Sequence, residues 1–124
     1  MPRLIVVIDE LSDLMISSGK LAETSIARIA QKGRAAGIHL VVATQSPRAD
    51  IITGKIKANL SSRIAFAAAS AIESHIILDE AGAEKLVGKG DMLFRLQNEK
   101  PRRLQGYYIS PEEIGQAVAS LKTK

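Results

Sequence analysis

The chain has 124 residues, 46% of them apolar and 24% charged, which is the length and composition of one ordinary globular domain. No apolar stretch approaches the roughly 20 residues of a membrane-spanning helix, and the start lacks the layout of a signal peptide, so we expect a soluble chain. The sequence contains no cysteine, which excludes disulfide bonds and thiolate metal sites and is compatible with a cytoplasmic location.

The net charge of +4 is unevenly distributed. Between residues 28 and 63 there is one acid, Asp50, against seven basic residues: Arg28, Lys32, Arg34, Arg48, Lys55, Lys57 and Arg63. This block indicates either a bound polyanion or phosphate, or a solvated basic face. With only four aromatic residues in the chain, recognition of single strands by base stacking is poorly supported.

The first half of the chain predicts a strand, a helix and a second strand. Residues 4–8, "LIVVI", form an unbroken aliphatic run, which is typical of a strand covered on both faces in a parallel sheet. We expect a loop at "SSGK", a helix from residue 21 that ends at Gly37, and a second buried strand over residues 38–44. In a right-handed βαβ unit the two strand ends bring Asp9, Glu10 and Gln45 to the same edge of the sheet.

The second half predicts shorter elements and one well-capped helix. Ser110, Pro111 and Glu113 have the spacing of a capping box with proline at the first helical position. No domain boundary is evident, so we treat residues 1–124 as a single domain. In chain order we expect a helix at 52–60, a strand at 63–68, one or two helices within 71–90, and strands at 91–96 and 103–109.

The acids after the first strand have the pattern of a Walker B motif. In that motif the aspartate, here Asp9, holds Mg²⁺ through water beside the phosphates of ATP, and the glutamate, here Glu10, polarises the attacking water. The alternative is that these acids simply mark the point where the strand reaches solvent. The histidines, His39 and His75, lack a second ligand at metal-binding spacing.

Two further polar residues have both a functional and a structural interpretation. Gln45 can hydrogen-bond a γ-phosphate and the attacking water, or it can be an ordinary residue at a strand end. Arg34 can reach a phosphate on a neighbouring subunit as an arginine finger, or it can complement the negative end of a helix dipole.

Read together, "VVIDELSDLM", "RIAQKGRAAGIHLVVATQSP", "DIITGKIKAN" and "IILDEAGAEKLVGKGDML" resemble the FtsK/SpoIIIE family of bacterial DNA translocases. The resemblance runs from residue 3 to about residue 121. It implies the second half of a RecA-like P-loop NTPase fold, with a mostly parallel sheet flanked by helices, in a motor that uses ATP and Mg²⁺. It also implies a homo-oligomeric ring of six subunits around double-stranded DNA.

The resemblance assigns roles to individual positions. Asp9 and Glu10 match the Walker B pair, Gln45 the sensor position, and Arg34 an arginine suited to act across the subunit boundary. Lys57 matches a basic position turned toward the DNA channel, with Arg48, Lys55 and His75 as further candidates for DNA contact.

The chain also departs from the family pattern. Ser46 stands where the family usually has an arginine, although Arg48 follows two residues later. Ala71 replaces a lysine and His75 an arginine, so we expect a weakened grip on DNA. No GxxxxGK[ST] phosphate loop is present in the chain, and the family's membrane segment, linker and terminal winged-helix module are absent from it as well.

The sequence therefore predicts the C-terminal part of an ATP-driven double-stranded DNA translocase motor. The parent protein would act in chromosome segregation during cell division or sporulation, anchored in the membrane at the division septum. We expect these 124 residues alone to hydrolyse no ATP and to self-associate through exposed apolar sheet. The alternative is a non-catalytic RecA-like module that oligomerises or binds DNA weakly.

Overall fold

The computed structural model describes residues 2–123, which form five strands and four α-helices. Two short 3₁₀ turns, Gly33–Ala36 and Ala83–Lys85, are also present. None of the helices within residues 2–123 has the length and apolar character of a membrane-spanning helix. In chain order the elements are β1 (Leu4–Ile8), α1 (Leu11–Lys32), β2 (Ile38–Val42), α2 (Gly54–Asn59), β3 (Ser62–Ala65), α3 (Ala71–Leu78), β4 (Asp91–Leu96), β5 (Arg102–Gln105) and α4 (Pro111–Lys122).

β1 and β2 form a parallel pair, as the sequence predicted. Their register runs from Leu4 opposite Ile38 to Ile8 opposite Val42. Backbone bonds continue past the strand ends, because the amide of Ala43 donates to Ile8 at 2.8 Å and the amide of Leu11 donates to Ala43 at 2.9 Å. The two strands therefore end side by side, and the polar residues that follow them share one edge.

The later strands form a separate, antiparallel sheet in the order β3-β4-β5. β4 and β5 confirm the strands expected at 91–96 and near 103 and pair with each other, although β5 ends at Gln105 and leaves Tyr107 almost fully exposed. A five-residue turn, 97–101, joins β4 to β5 and is too short for a parallel crossover. The parallel arrangement is thus confined to β1 and β2, and the described strands do not make one mostly parallel sheet.

Helix α1 corrects the expectation of a loop at "SSGK". The helix begins at Leu11, directly after Glu10, and reaches Lys32 with a kink at Gly19, whose φ of 15° and ψ of −99° are not helical, so a break does occur in this stretch but no loop forms. Glu10 caps the first turn, so the helix can start as soon as the strand ends. The predicted stop is confirmed, because Gly37 adopts a left-handed conformation with φ of 74°.

The apolar core is divided into two clusters. The N-terminal cluster consists of buried Leu11, Ile26, Ile51 and Ile56, and the C-terminal cluster of buried Ala65, Leu78 and Ala83. Alternate residues of β1 and β2 point toward the N-terminal cluster, among them Ile8, Leu40 and Val42.

The opposite face of β1 is open, which contradicts the prediction of a strand buried on both faces. Ile5 and Val7, which point to this face, are 66% and 64% exposed, and Leu4, at the start of the strand on the core-facing side, is also 56% exposed. The described helices cover only the side of this sheet that faces the N-terminal cluster, so an aliphatic run of this kind leaves alternate side chains uncovered.

Candidate functional site

Glu10 lies at the junction of β1 and α1 and caps the helix. Its Oε1 atom accepts hydrogen bonds from the Ser12 amide at 3.1 Å and from the Ser12 hydroxyl at 2.6 Å. Ser12 is 8% exposed, so this end of α1 is closed to water on the side of the cap. The carboxylate satisfies an amide that has no partner within the helix.

The same carboxylate also joins the ends of the two parallel strands. The Thr44 hydroxyl donates to Glu10 Oε1, and the Gln45 amide donates to Oε2 at 2.8 Å. The Ser12 hydroxyl, followed by the Thr44 hydroxyl and the Gln45 amide, lowers the pKa of Glu10 to about 2. Glu10 is therefore ionised at neutral pH, and donors from three residues occupy its two oxygens.

Asp9 precedes Glu10 and is exposed, with its carboxylate open to water. Among residues 2–123 no three His, Cys, Asp or Glu side chains converge on a possible metal site. A single exposed carboxylate nevertheless fits Mg²⁺ bound together with a nucleotide, because Mg²⁺ in such sites takes one or two carboxylates and completes its shell with phosphate oxygens and water.

Gln45 is exposed and lies at the same edge as Asp9 and Glu10, as predicted. Its contact with Glu10 runs through the backbone amide, which leaves the side-chain amide at the surface. The structure thus brings together three of the four residues to which the sequence assigned a role in hydrolysis.

Arg34 lies at the other end of the sheet. It is exposed in the 3₁₀ turn that precedes β2. Gly37, the residue that follows this turn, accepts a hydrogen bond from the amide of Leu4 at the start of β1, so the turn lies at the end of the strand pair opposite to Glu10. The five residues of β2 separate Arg34 from the Glu10 edge, a strand length of about 17 Å. Arg34 therefore does not reach the nucleotide edge of its own subunit, and the two interpretations that stay open are a role across a subunit boundary and complementation of the helix dipole.

The candidate DNA-binding residues are dispersed and partly engaged. Arg48 makes a bidentate ion pair with Asp50, with Nε 3.0 Å from Oδ1 and Nη2 2.7 Å from Oδ2. Lys55 is exposed and contacts the Thr24 hydroxyl at 3.4 Å. His75 is exposed on α3. Exposed pairs of this kind contribute little to stability, so a phosphate group can compete for Arg48.

Lys57 is more firmly held than the sequence suggested. Its ammonium lies 2.5 Å from Asp79, which also pairs with Arg63 at 2.6 Å and with Arg95 at 3.4 Å. The three cationic side chains are 17–19% exposed and line a polar cavity of about 340 Å³. The hydrogen bond from Lys57, together with Arg63, holds the pKa of Asp79 below its usual value.

Sequence reasoning missed the residues that organise these groups. Thr44 precedes Gln45 at the end of a strand, and its position there was the only available signal. Asp79 terminates α3 in a left-handed conformation, with φ of 62°, which directs its carboxylate toward the three cations. No local pattern links Asp79 to Lys57, because 22 residues separate the two.

Comparison with solved structures defines the class of protein. TcpA, the pCW3 conjugation coupling protein, in its monomer form with ATPgS, superposes with a TM-score of 0.80 and 32% identity over 98% of this chain and 38% of TcpA. The cytoplasmic domain of the type VII secretion ATPase EccC of Thermomonospora curvata gives a TM-score of 0.79 and 31% identity, over 89% of this chain and 13% of that one. The chain therefore has the α/β fold of the P-loop ATPase motor domains.

The family follows from the sequence relatives. Residues 1–49 match the profile of the FtsK/SpoIIIE family. DNA translocase FtsK of Treponema pallidum is 52% identical over 98% of this chain, and DNA translocase SftA of Bacillus subtilis is 56% identical over 100% of it. The chain belongs to the FtsK/SpoIIIE family. It spans only 15% and 13% of the length of these two relatives, and it matches a fragment of the motor domain.

Proposed function

We propose that residues 1–124 form the C-terminal part of the motor domain of an ATP-driven double-stranded DNA translocase. The whole protein would move DNA during chromosome segregation, at cell division or in sporulation, as a ring of six subunits anchored at the division septum. The observation that carries the proposal is the meeting of Asp9, Glu10 and Gln45 at one edge of a parallel strand pair. Relatives named DNA translocases over nearly the whole chain support it.

Each residue at this edge has a distinct role in the proposed reaction. Asp9 would hold Mg²⁺ through water, and the ion would neutralise charge on the phosphates of ATP. Glu10 would polarise the attacking water, and the Gln45 side chain would orient that water beside the terminal phosphate. Arg34 would act on the nucleotide of the adjacent subunit in the ring.

An open strand edge and a neighbouring cleft support a location for the phosphate-binding segment of the whole protein. β2 pairs only with β1 among the described strands, so its other edge is open. Between β2 and β3 lies a cleft of about 420 Å³, lined mostly by apolar side chains that include Leu40, Val42, Ile64 and Phe66. We propose that the strand leading into the phosphate loop fills this cleft and pairs with β2.

DNA contact would come from the basic residues outside the nucleotide edge. Arg48, Lys55, Lys57 and His75 are the candidates, and two of them already have carboxylate partners in this structure. Non-specific binding by DNA-binding proteins is typically in the range of about 10⁻⁴ to 10⁻⁶ M at physiological salt, and one subunit of this chain should bind at the weak end or below it. A ring would recover affinity by multiplying the contacts.

The test of catalysis uses the longer motor protein that contains the phosphate loop. There, Glu10→Gln should abolish ATP hydrolysis while nucleotide is still bound, because only activation of the water is lost. Glu112→Gln, an exposed residue in the first turn of α4, is the matched control and should hydrolyse ATP at the normal rate. Undiminished turnover by Glu10→Gln, or Mg²⁺-dependent hydrolysis by the 124 residues alone, would contradict the proposal.

A non-catalytic module is the second candidate function. It is favoured by the engagement of Lys57 with Asp79 and by Ser46, Ala71 and His75 at positions where the family usually has cations. Such a protein would keep the fold and associate with itself or with DNA without hydrolysing ATP. A longer chain that carries the phosphate loop yet shows no ATP hydrolysis, with or without DNA, would establish this alternative.

A further inference from the structure

We propose that Thr44 is a positioning residue that holds Glu10 in a resting orientation and couples it to the loop 45–50, so that duplex DNA bound at this loop frees Glu10 for hydrolysis. The inference rests on the proposed function. It goes beyond it by naming the group that restrains the glutamate and the segment through which DNA would act on it.

The first step is the geometry of Glu10. In the orientation described, its two oxygens accept from the Ser12 amide and hydroxyl, the Thr44 hydroxyl and the Gln45 amide. A carboxylate occupied in this way caps a helix and joins two strands. Three of these bonds fall on Oε1 and one on Oε2, and together they fix the orientation of the carboxylate, so a turn of Glu10 toward a water at the nucleotide must open some of them.

The second step identifies which donor can be exchanged. The Ser12 bonds are local to the start of α1, and Ser12 itself is 8% exposed. Thr44 and Gln45 instead follow β2 and lead directly into an exposed loop. Only the Thr44 and Gln45 bonds can therefore report on events outside the helix.

The third step traces the connection from Thr44 into the loop. The Thr44 hydroxyl donates to Glu10 and accepts from the Ser46 amide at 3.0 Å. The Ser46 carbonyl accepts from the Arg48 amide at 2.9 Å, and the Arg48 guanidinium pairs with Asp50. A continuous series of hydrogen bonds thus runs from the glutamate to an exposed arginine.

The last step is what a phosphate would do at the end of this series. The loop is anchored by β2 on one side and by Ile51, which is 4% exposed, on the other. The side chains of Arg48 and Asp50 are 68% and 61% exposed, so a DNA phosphate can replace Asp50 at little energetic cost. Movement of Arg48 would pull on the Ser46 turn and open the bond between Thr44 and Glu10.

The experiment measures ATP hydrolysis by the longer motor protein, with and without duplex DNA. Thr44→Val removes the hydroxyl and keeps the shape. We expect the DNA-free rate to rise about tenfold, a factor equivalent to about 1.4 kcal/mol and close to the lower limit of the range for a hydrogen bond to a charged group. The ratio of the rates with and without DNA should fall toward one, whereas Thr44→Ser, which retains the donor, should keep both rates close to the unmodified protein.

A second variant separates this role from packing. Thr44→Ala adds no new atoms to the site and should reproduce the effect of Thr44→Val. If both variants leave the ratio unchanged, or lower both rates equally, in a motor whose hydrolysis responds to DNA, the inference is wrong and the proposed function stands. If the unmodified motor hydrolyses no ATP at all, the proposed function itself fails and this inference fails with it.

Discussion

Replacement of Ser74 by alanine should destabilise the C-terminal half of the chain by a predictable amount. Ser74 is fully buried in α3, where its hydroxyl donates to the Glu80 carbonyl at 2.7 Å and accepts from the Ala83 amide at 3.0 Å. These two bonds close the turn that leads from α3 to the 3₁₀ turn beginning at Ala83. Without the hydroxyl, both backbone groups lose their partner at once.

The magnitude follows from the surroundings of each group. The Ala83 amide is buried and cannot turn to water, so leaving it unpaired costs about 1–3 kcal/mol. Glu80 is exposed, and its carbonyl can find water, so that bond contributes about 0.5–1.5 kcal/mol. The Ser74→Ala variant should therefore lose about 1.5–4.5 kcal/mol of unfolding free energy.

Urea unfolding followed by circular dichroism measures this loss. With a slope of about 2 kcal/mol per molar urea, the middle of the range for small domains, the midpoint should fall by roughly 1–2 M. Ser17→Ala is the control, because the Ser17 hydroxyl is exposed and bonds only to Leu14 within its own helix, and its unfolding free energy should change by no more than about 0.5 kcal/mol. A similarly small change for Ser74→Ala would refute the reasoning.

Two further predictions concern acid stability and backbone conformation. The Arg103 guanidinium donates to both oxygens of buried Asp91 and, with a backbone amide, lowers the pKa of Asp91 to about 2, below the value of roughly 3.9 in an unfolded chain. Asp91→Asn should therefore lower the unfolding free energy by its full amount above about pH 4 and by progressively less as the pH falls toward 2. Urea unfolding at pH 7 and pH 3 measures the difference. Gly90→Ala should lower the melting temperature, because Gly90 has a φ of 91° and an added Cβ would lie 2.4 Å from the Gly106 carbonyl oxygen. Gly115→Ala lies in α4, where no atom is within 4 Å of the added Cβ, and should stabilise the chain by about 0.5–1 kcal/mol. Equal melting temperatures for the two variants would contradict this prediction.

The parts of the site that could be predicted are those that depend on strand order and chain direction. A strand, a helix and a strand within 40 residues leave few arrangements other than a parallel pair. That arrangement alone placed Asp9, Glu10 and Gln45 at one edge. Helix α4 and its capping box were predictable for a similar reason, since the interactions lie within four residues of one another.

The parts that could not be predicted from the sequence depend on the tertiary neighbours of a residue. The aliphatic pattern of β1 has the same appearance whether one face or both faces are covered, and only the structure shows Ile5 and Val7 exposed. The apolar run at residues 63–68 is equally compatible with either strand direction, so the antiparallel partnership of β3 had no local signal. Contacts such as those of Thr44 with Glu10 and of Lys57 with Asp79 join residues distant in sequence and have no periodicity to reveal them.

The division of the core into two clusters bears on how the chain opens and closes in solution. The N-terminal and C-terminal clusters share no buried residue, and β2 and β3 make no ladder with each other. Units of this kind can open independently, and their amide protons then exchange with solvent deuterium at two different rates. The ion pairs of Asp79, with Lys57 from α2 and Arg63 and Arg95 from β3 and β4, are a direct tie between the two halves. Because these cations are only 17–19% exposed, salt screens the tie in part, and the exchange rates of the two halves should diverge modestly as salt is added.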